Sequence, residues 1–129
     1  MRSRGVVYFR WLVVFAFGAL VYYCSDRPAW DIVPRLFPHS DKVMHFLSYG
    51  LFAMLIFRAL WVDDTRPAST GVLVLGVILA TVYGVSDEFH QTFVPGREFS
   101  WLDMAANGAG ASVAAALWEP LTAWFPRLR

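Results

Sequence analysis

Four long apolar stretches follow one another along the chain, separated by polar or proline-containing segments. Each is close to the roughly 20 residues that an α-helix needs to cross a bilayer. The pattern predicts helices over residues 6–24, 41–61, 70–91 and 100–118. In the third, the strictly apolar part covers only residues 71–85, so the helix is expected to continue to Gln91 in order to span. The chain is therefore predicted to be an all-α membrane protein, a four-helix transmembrane bundle.

The composition agrees with a membrane protein of one domain. The 129 residues are 57% hydrophobic and only 16% charged, whereas an average soluble domain is about 25% charged. This length predicts a single domain over residues 1–129. A net charge of +1 gives no basic surface for nucleic acid. The single cysteine, Cys24, excludes an internal disulfide and a cysteine-based zinc cluster, and no cofactor is predicted.

The charges that flank the helices predict the orientation. With four spans both termini lie on one side, where seven arginines fall, against four basic residues on the other. The seven are Arg2, Arg4, Arg10, Arg58, Arg66, Arg127 and Arg129, and the four are Arg27, Arg35, Lys42 and Arg97. Because basic residues favour the cytoplasmic side, we expect a multi-pass protein of the cell membrane with both termini cytoplasmic.

Polar residues recur at helical spacing at the start of the second predicted helix, the end of the third and the start of the fourth. In that topology all three places face the outer leaflet. Ionisable groups at the bilayer centre cost roughly 2.5 to 3.5 kcal/mol each, and they commonly mark functional sites. We expect one shared ligand-binding site, for which the candidates are Asp41, Lys42, His45, Glu88, Gln91, Arg97, Asp103 and Asn107.

Individual candidates also have ordinary structural explanations. Asp41 lies one turn before His45 and could cap the second helix through its side chain. Lys42 could extend its ammonium to the membrane interface. At the end of the third helix, Glu88 and Gln91 share a face. We expect this pair to point inward, with Asp87 and His90 nearer the headgroups.

Two further features are expected to shape the site. The turn Pro95, Gly96, Arg97 should swing Arg97 back between Glu88 and Asp103, where a guanidinium would neutralise both or receive a phosphate or carboxylate from a ligand. In the fourth helix, a stripe of small residues lets backbones approach closely. This stripe, Ala106, Gly110 and Ala114, should bring Asn107 within hydrogen-bonding range of Glu88, Gln91 or His45.

A metal site and a lid are two additional hypotheses. A metal would use His45, His90, Glu88 and Asp103, but no tight ligand signature is present, so no metal is predicted. In the loop over residues 25–40, apolar residues at helical spacing suggest an interfacial lid over the site, although an ordinary proline-rich connector explains the pattern equally well. The apolar residues are Trp30, Val33, Leu36 and Phe37, between Pro28, Pro34 and Pro38.

The combined spacing of these residues resembles the VanZ-like family of small bacterial membrane proteins. The family is named for an accessory protein of a glycopeptide-resistance cluster that is linked to teicoplanin resistance. The resemblance covers about residues 41–116 and implies a multi-pass envelope protein, without an established reaction. It rests on Asp41, Lys42, His45, Phe46, Tyr49, Glu88, Gln91, Pro95, Arg97, Asp103, Asn107 and Gly110.

Two functions compete on these residues. The first is an envelope factor, related to glycopeptide resistance in the named relative, that binds an anionic membrane-lipid headgroup or a lipid-linked cell-wall precursor. The second is an intramembrane hydrolase or transferase with His45 or Glu88 as general base and Arg97 stabilising developing charge. The serines show no nucleophile context, which favours binding. A proton or ion pathway and a purely structural polar network are weaker alternatives.

Overall fold

Four helices make up the described part of the chain, which in this computed structural model covers residues 3–28, 37–61, 63 and 66–125. No strand occurs within those ranges. The helices are α1 Arg4–Ser25, α2 Ser40–Leu60, α3 Thr70–Gln91 and α4 Trp101–Trp124. The all-helical prediction is therefore confirmed, and the predicted bounds of α3 match.

Three of these helices, α1, α2 and α3, are long and apolar enough to cross a membrane. The fourth, α4, is as long, with 24 residues, but its apolar part consists largely of alanine and glycine, which are weakly hydrophobic. Length and hydropathy thus support three of the four predicted spans. The proposed lid falls mostly on residues 29–36, outside the described part.

Local sequence explains where two helices begin. The Ser69 hydroxyl accepts a hydrogen bond from the Val72 amide at the start of α3, and the Ser100 hydroxyl accepts one from the Asp103 amide at the start of α4. Such caps satisfy amides that have no partner within the helix. The alternative role of Asp41 as a cap is wrong, because the residue at the cap position of α2 is His39, in a left-handed conformation with φ 65°. Asp41 lies inside the first turn instead.

α4 continues to Trp124, beyond its predicted end at residue 118, and passes through Pro120. Proline removes one backbone hydrogen bond, but packing on the inner face of the bundle holds the helix together. The Trp118 ring lies 5.5 Å from that of Phe57 and 6.1 Å from that of Trp61, between ring centroids. Contacts between α4 and the rest of the bundle therefore outweigh the tendency of proline to end a helix.

α2 and α4 form the closest helix pair, as the small residues predict. A Cβ atom added to Gly110 would lie 2.1 Å from the Phe46 carbonyl oxygen, and one added to Gly50 would lie 3.2 Å from the Gly110 carbonyl oxygen. Of the predicted small residues of α4, Gly110 and Ala114 are buried, whereas Ala106 is half-buried. The contact brings the polar starts of α2 and α4 side by side.

α1 packs against α2 and α3 and exposes much of its apolar surface. The Tyr83 hydroxyl of α3 donates a hydrogen bond of 2.6 Å to the Gly18 carbonyl of α1. At the other end of α1, the buried Arg10 guanidinium donates to the Arg58 and Trp61 carbonyls, at 2.8 and 2.9 Å. The bundle thus has two ends. We call the one with the starts of α2 and α4 the site end, and the one with Arg10 the opposite end.

Candidate ligand-binding site

His45 of α2 is the centre of the polar residues at the site end. Its Nδ1 lies 2.9 Å from Asn107 Oδ1 and 3.7 Å from Glu88 Oε1, and its Nε2 lies 4.0 Å from Asp103 Oδ2. An amide oxygen only accepts hydrogen bonds, so Nδ1 donates to Asn107. The predicted contact between Asn107 and its neighbours is confirmed for His45.

Glu88 is fully buried, with 0% of its surface exposed. Its Oε2 accepts a hydrogen bond of 3.2 Å from the Ser100 amide, at the turn into α4. Its Oε1 accepts none from any described residue. Burying a carboxylate without compensation is costly, so this oxygen is a feature that packing alone does not explain.

Lys42 joins α2 to α4 through two carboxylates. Its Nζ lies 2.6 Å from Asp41 Oδ2 and 2.6 Å from Asp103 Oδ1. The ammonium is therefore already neutralised by its own protein. Together these side chains form what we call the histidine–carboxylate cluster: Asp41, Lys42, His45, Glu88, Asp103 and Asn107.

Arg97 belongs to a second group. Its guanidinium donates to the Arg27 carbonyl at 2.8 Å, to Gln91 Oε1 at 3.3 Å and to the Cys24 carbonyl at 3.4 Å. The expected position between Glu88 and Asp103 is wrong, and no carboxylate of the described residues forms an ion pair with Arg97. The Cys24 carbonyl is in the last turn of α1 and the Arg27 carbonyl follows it, so Arg97 lies at the negative end of the α1 dipole.

Asp87 also differs from expectation. It is buried, and its Oδ2 accepts a hydrogen bond of 3.0 Å from the Tyr49 hydroxyl. Since Asp87 and Gln91 are four residues apart, they share a face of α3 as closely as Glu88 and Gln91 do. His90 does point outward, where its Nε2 lies 3.0 Å from Asp26 Oδ1.

A cavity of about 840 Å³ opens between α1, α2 and the end of α3. Its apolar wall includes Phe17, Leu20, Val21 and Met44. Its polar wall includes Asp41, His45, Asp87, Gln91 and Arg97. The volume lies in the range of small-molecule sites, about 300 to 1,000 Å³. This arrangement can hold a molecule with one apolar part and one polar part.

The structure thus divides the eight candidates into two groups, of which Asp41, His45, Gln91 and Arg97 line the cavity, whereas the other four candidates do not. Sequence reasoning missed Asp87, the Ser25 hydroxyl that accepts from Gln91 Nε2 at 3.4 Å, and the α1 carbonyls that bind Arg97. Backbone carbonyls carry no side-chain signal, and only the helical spacing from Asp87 to Gln91 could have indicated Asp87. Of the proposed metal ligands, His45, Glu88 and Asp103 place one donor atom each within 4.8 Å of the others, whereas His90 pairs with Asp26.

Comparison with known proteins gives a family and a distant relative. A family model described as VanZ/LLP1 matches residues 6–123, nearly the whole chain. The chain is also 32% identical over 77 residues to an uncharacterized protein of the fission yeast Schizosaccharomyces pombe. That alignment covers 60% of this chain and 45% of the yeast protein, so the chain spans less than half of that relative's length. No solved structure matches the chain significantly.

Proposed function

The chain belongs to the VanZ/LLP1 family, and from that premise we propose that it binds the phosphate-bearing headgroup of an anionic membrane lipid in the cavity at the site end. The acyl part of the lipid contacts the apolar wall, and the headgroup contacts the polar wall. The protein acts as an envelope factor without a reaction of its own.

The observation that supports this proposal most strongly is the set of hydrogen-bond partners of the Arg97 guanidinium. It is a permanent cation on the cavity wall, and its hydrogen-bond partners among the described residues are neutral carbonyl oxygens. A guanidinium matches the geometry of phosphate oxygens. Lys42, by contrast, already has two carboxylates, so it does not take part in phosphate binding in this proposal.

The proposal includes an orientation. With α4 as the fourth span and both termini cytoplasmic, the site end faces the outer leaflet of the cell membrane. Cys24 then lies near the outer surface. A membrane-impermeant thiol reagent should label Cys24 in intact cells. Labelling of a cysteine placed at residue 66 and not of one placed at residue 98 would show the inverse orientation.

The headgroup proposal includes lipid-linked cell-wall precursors, which also carry phosphate next to a long apolar chain. The name of the family, which comes from a glycopeptide-resistance cluster, is the reason to test such precursors as well. The relative in a yeast favours a phosphate-bearing lipid of the kind that both bacterial and yeast membranes contain. We therefore use phosphatidylglycerol as the first ligand to test.

The test is lipid affinity in purified protein, measured by native mass spectrometry with phosphatidylglycerol and phosphatidylcholine. Hydrogen bonds to charged groups contribute about 1.5 to 3 kcal/mol, so Arg97→Ala should weaken phosphatidylglycerol binding by roughly 10- to 100-fold. Arg66→Ala is the matched control, since it removes an arginine at the opposite end. Equal affinity of the wild type for both lipids, or equal losses in both variants, would contradict the proposal.

An enzymatic role is the second candidate, because His45 lines the cavity while Glu88 lies behind it at 3.7 Å. A base oriented by a carboxylate is a common arrangement for proton transfer. In that case, Glu88→Gln should remove conversion of a lipid substrate and keep its binding. A purified protein that binds a lipid-linked precursor and leaves it unconverted supports the binding role.

A further inference from the structure

We infer that His45, Glu88 and Asp103 form a site for one divalent cation of the Mn²⁺ or Zn²⁺ type. The site lies beside the lipid cavity, and it does not depend on the proposed lipid. Three features of the histidine–carboxylate cluster carry the inference: a buried oxygen without a donor, an excess of negative charge and the spacing of the donor atoms.

The first feature is Glu88 Oε1. Glu88 has no exposed surface, and this oxygen accepts no hydrogen bond within the described part of the chain. His45 Nδ1 lies 3.7 Å from this oxygen, which is beyond the range of a hydrogen bond. An oxygen in this position is free to bind a cation.

The second feature is the balance of charge. Asp41, Glu88 and Asp103 are carboxylates, and in the described part of the chain Lys42 is the one lysine or arginine that pairs with them. Lys42 contacts Asp41 and Asp103, so Glu88 is left without a permanent cation. Buried charges in proteins are normally paired or bind metals. A divalent ion would supply the missing positive charge.

The third feature is geometry. His45, Glu88 and Asp103 each place one donor atom within 4.8 Å of the other two. Metal bonds to imidazole nitrogen and carboxylate oxygen are about 2.0 to 2.2 Å long, so the donors around one ion lie about 3 to 4 Å apart. The 4.8 Å limit exceeds this range, so binding an ion requires side-chain rotations that bring the donors closer together. One nitrogen and two carboxylate oxygens suit Mn²⁺ and Zn²⁺.

Asn107 supports the site from behind. It is 1% exposed, and its Oδ1 lies 2.9 Å from His45 Nδ1. Histidine ligands of metals usually donate their second ring N–H to an oxygen, which fixes the ring. His45 also lines the cavity, so an ion held by three side chains would keep coordination positions open toward it. A water molecule or a phosphate oxygen could fill them.

The experiment measures binding of the metal alone. Purified protein is treated with a chelator, and MnCl₂ or ZnCl₂ is then titrated by isothermal calorimetry, while the melting temperature is followed in parallel. One ion per chain should bind and raise the melting temperature. Substitution of a residue that hydrogen-bonds to a metal ligand weakens metal binding by roughly 10- to 100-fold. Loss of a ligand in Glu88→Gln or Asp103→Asn should therefore weaken it by about 100-fold or more.

Asp26→Asn is the matched control, since it removes a carboxylate beside a different histidine, His90. Its affinity for the metal should equal that of the wild type. Should Glu88→Gln unfold, His45→Gln provides the same comparison. Absence of stoichiometric binding, or equal binding by wild type and ligand variants, would overturn the inference and indicate an internal pairing of His45 with Glu88. Lipid binding that persists without the metal would leave the proposed function standing.

Discussion

The two ends of the bundle use arginine in the same way and with different consequences. At the opposite end, Arg10 donates to carbonyls at the end of α2, and at the site end Arg97 donates to carbonyls at the end of α1. Arg10 is 6% exposed and lies near the packed ring pair Trp61 and Trp118. Arg97 is half-buried and lines a cavity. The same interaction therefore holds a buried guanidinium at a helix end in one place and a half-buried guanidinium on a cavity wall in the other.

The largest loss of stability should come from a substitution in the close contact between α2 and α4. Gly110→Ala places a methyl group against the Phe46 carbonyl oxygen, at 2.1 Å before relaxation. Because that neighbour is backbone, we expect a loss of about 3 kcal/mol in the free energy of unfolding, measured by SDS titration. Gly5→Ala is the control, since a Cβ atom there has no neighbour within 4 Å. Similar stability of the two variants would show that α2 and α4 are not in backbone contact.

Substitutions of Arg10 and Arg97 should affect different properties, the first mainly the stability of the fold and the second mainly the lipid affinity. Arg10→Met removes hydrogen bonds to two carbonyls, one of them buried and one partly buried, and should cost about 2 to 3 kcal/mol, with unchanged lipid affinity in the folded fraction. Arg97→Met should lower lipid affinity and cost less than about 1 kcal/mol of stability, since its bonds are partly solvated. SDS titration and native mass spectrometry measure the two quantities. A larger loss of stability in Arg97→Met than in Arg10→Met would reverse the comparison.

The smallest expected effect is the coupling energy between pairs of substitutions. It should be measurable within one of the two groups of side chains at the site end and small between the groups. Lys42→Met and Asp103→Asn should be non-additive by roughly 0.5 to 3 kcal/mol, because the two side chains touch at 2.6 Å. Glu88→Gln and Arg97→Met should be additive to within about 0.5 kcal/mol, because no bond joins them. Strong coupling of Glu88 with Arg97 would restore the arrangement that the sequence alone suggested.

The helices could be predicted because the thickness of the bilayer sets their length. The third helix is the clearest case, since the apolar run and its extension to Gln91 gave bounds that the structure matches. The convergence of three helix ends followed from the same reasoning. The sequence predicted a contact of Asn107 with Glu88, Gln91 or His45, and the structure has the contact with His45.

What could not be predicted depends on groups without a sequence signal. Arg97 donates to the backbone carbonyls of Cys24 and Arg27, and any residue type could have supplied them. Asp87 points inward because Tyr49 of a different helix offers a hydroxyl. α4 continues past Pro120 because Trp118 and Thr122 are buried against the bundle. In each case a contact between distant parts of the chain overrides a local preference.

The most direct test of the site end as a lipid site is photo-crosslinking with a photoactivatable phosphatidylglycerol, followed by peptide mass spectrometry. The account predicts labelling of the cavity wall, at Leu20 or Met44, which excess phosphatidylglycerol suppresses, phosphatidylcholine does not, and Arg97→Met removes. Labelling spread evenly over outward residues such as Leu12 and Val74, insensitive to either competitor and to Arg97→Met, would contradict it.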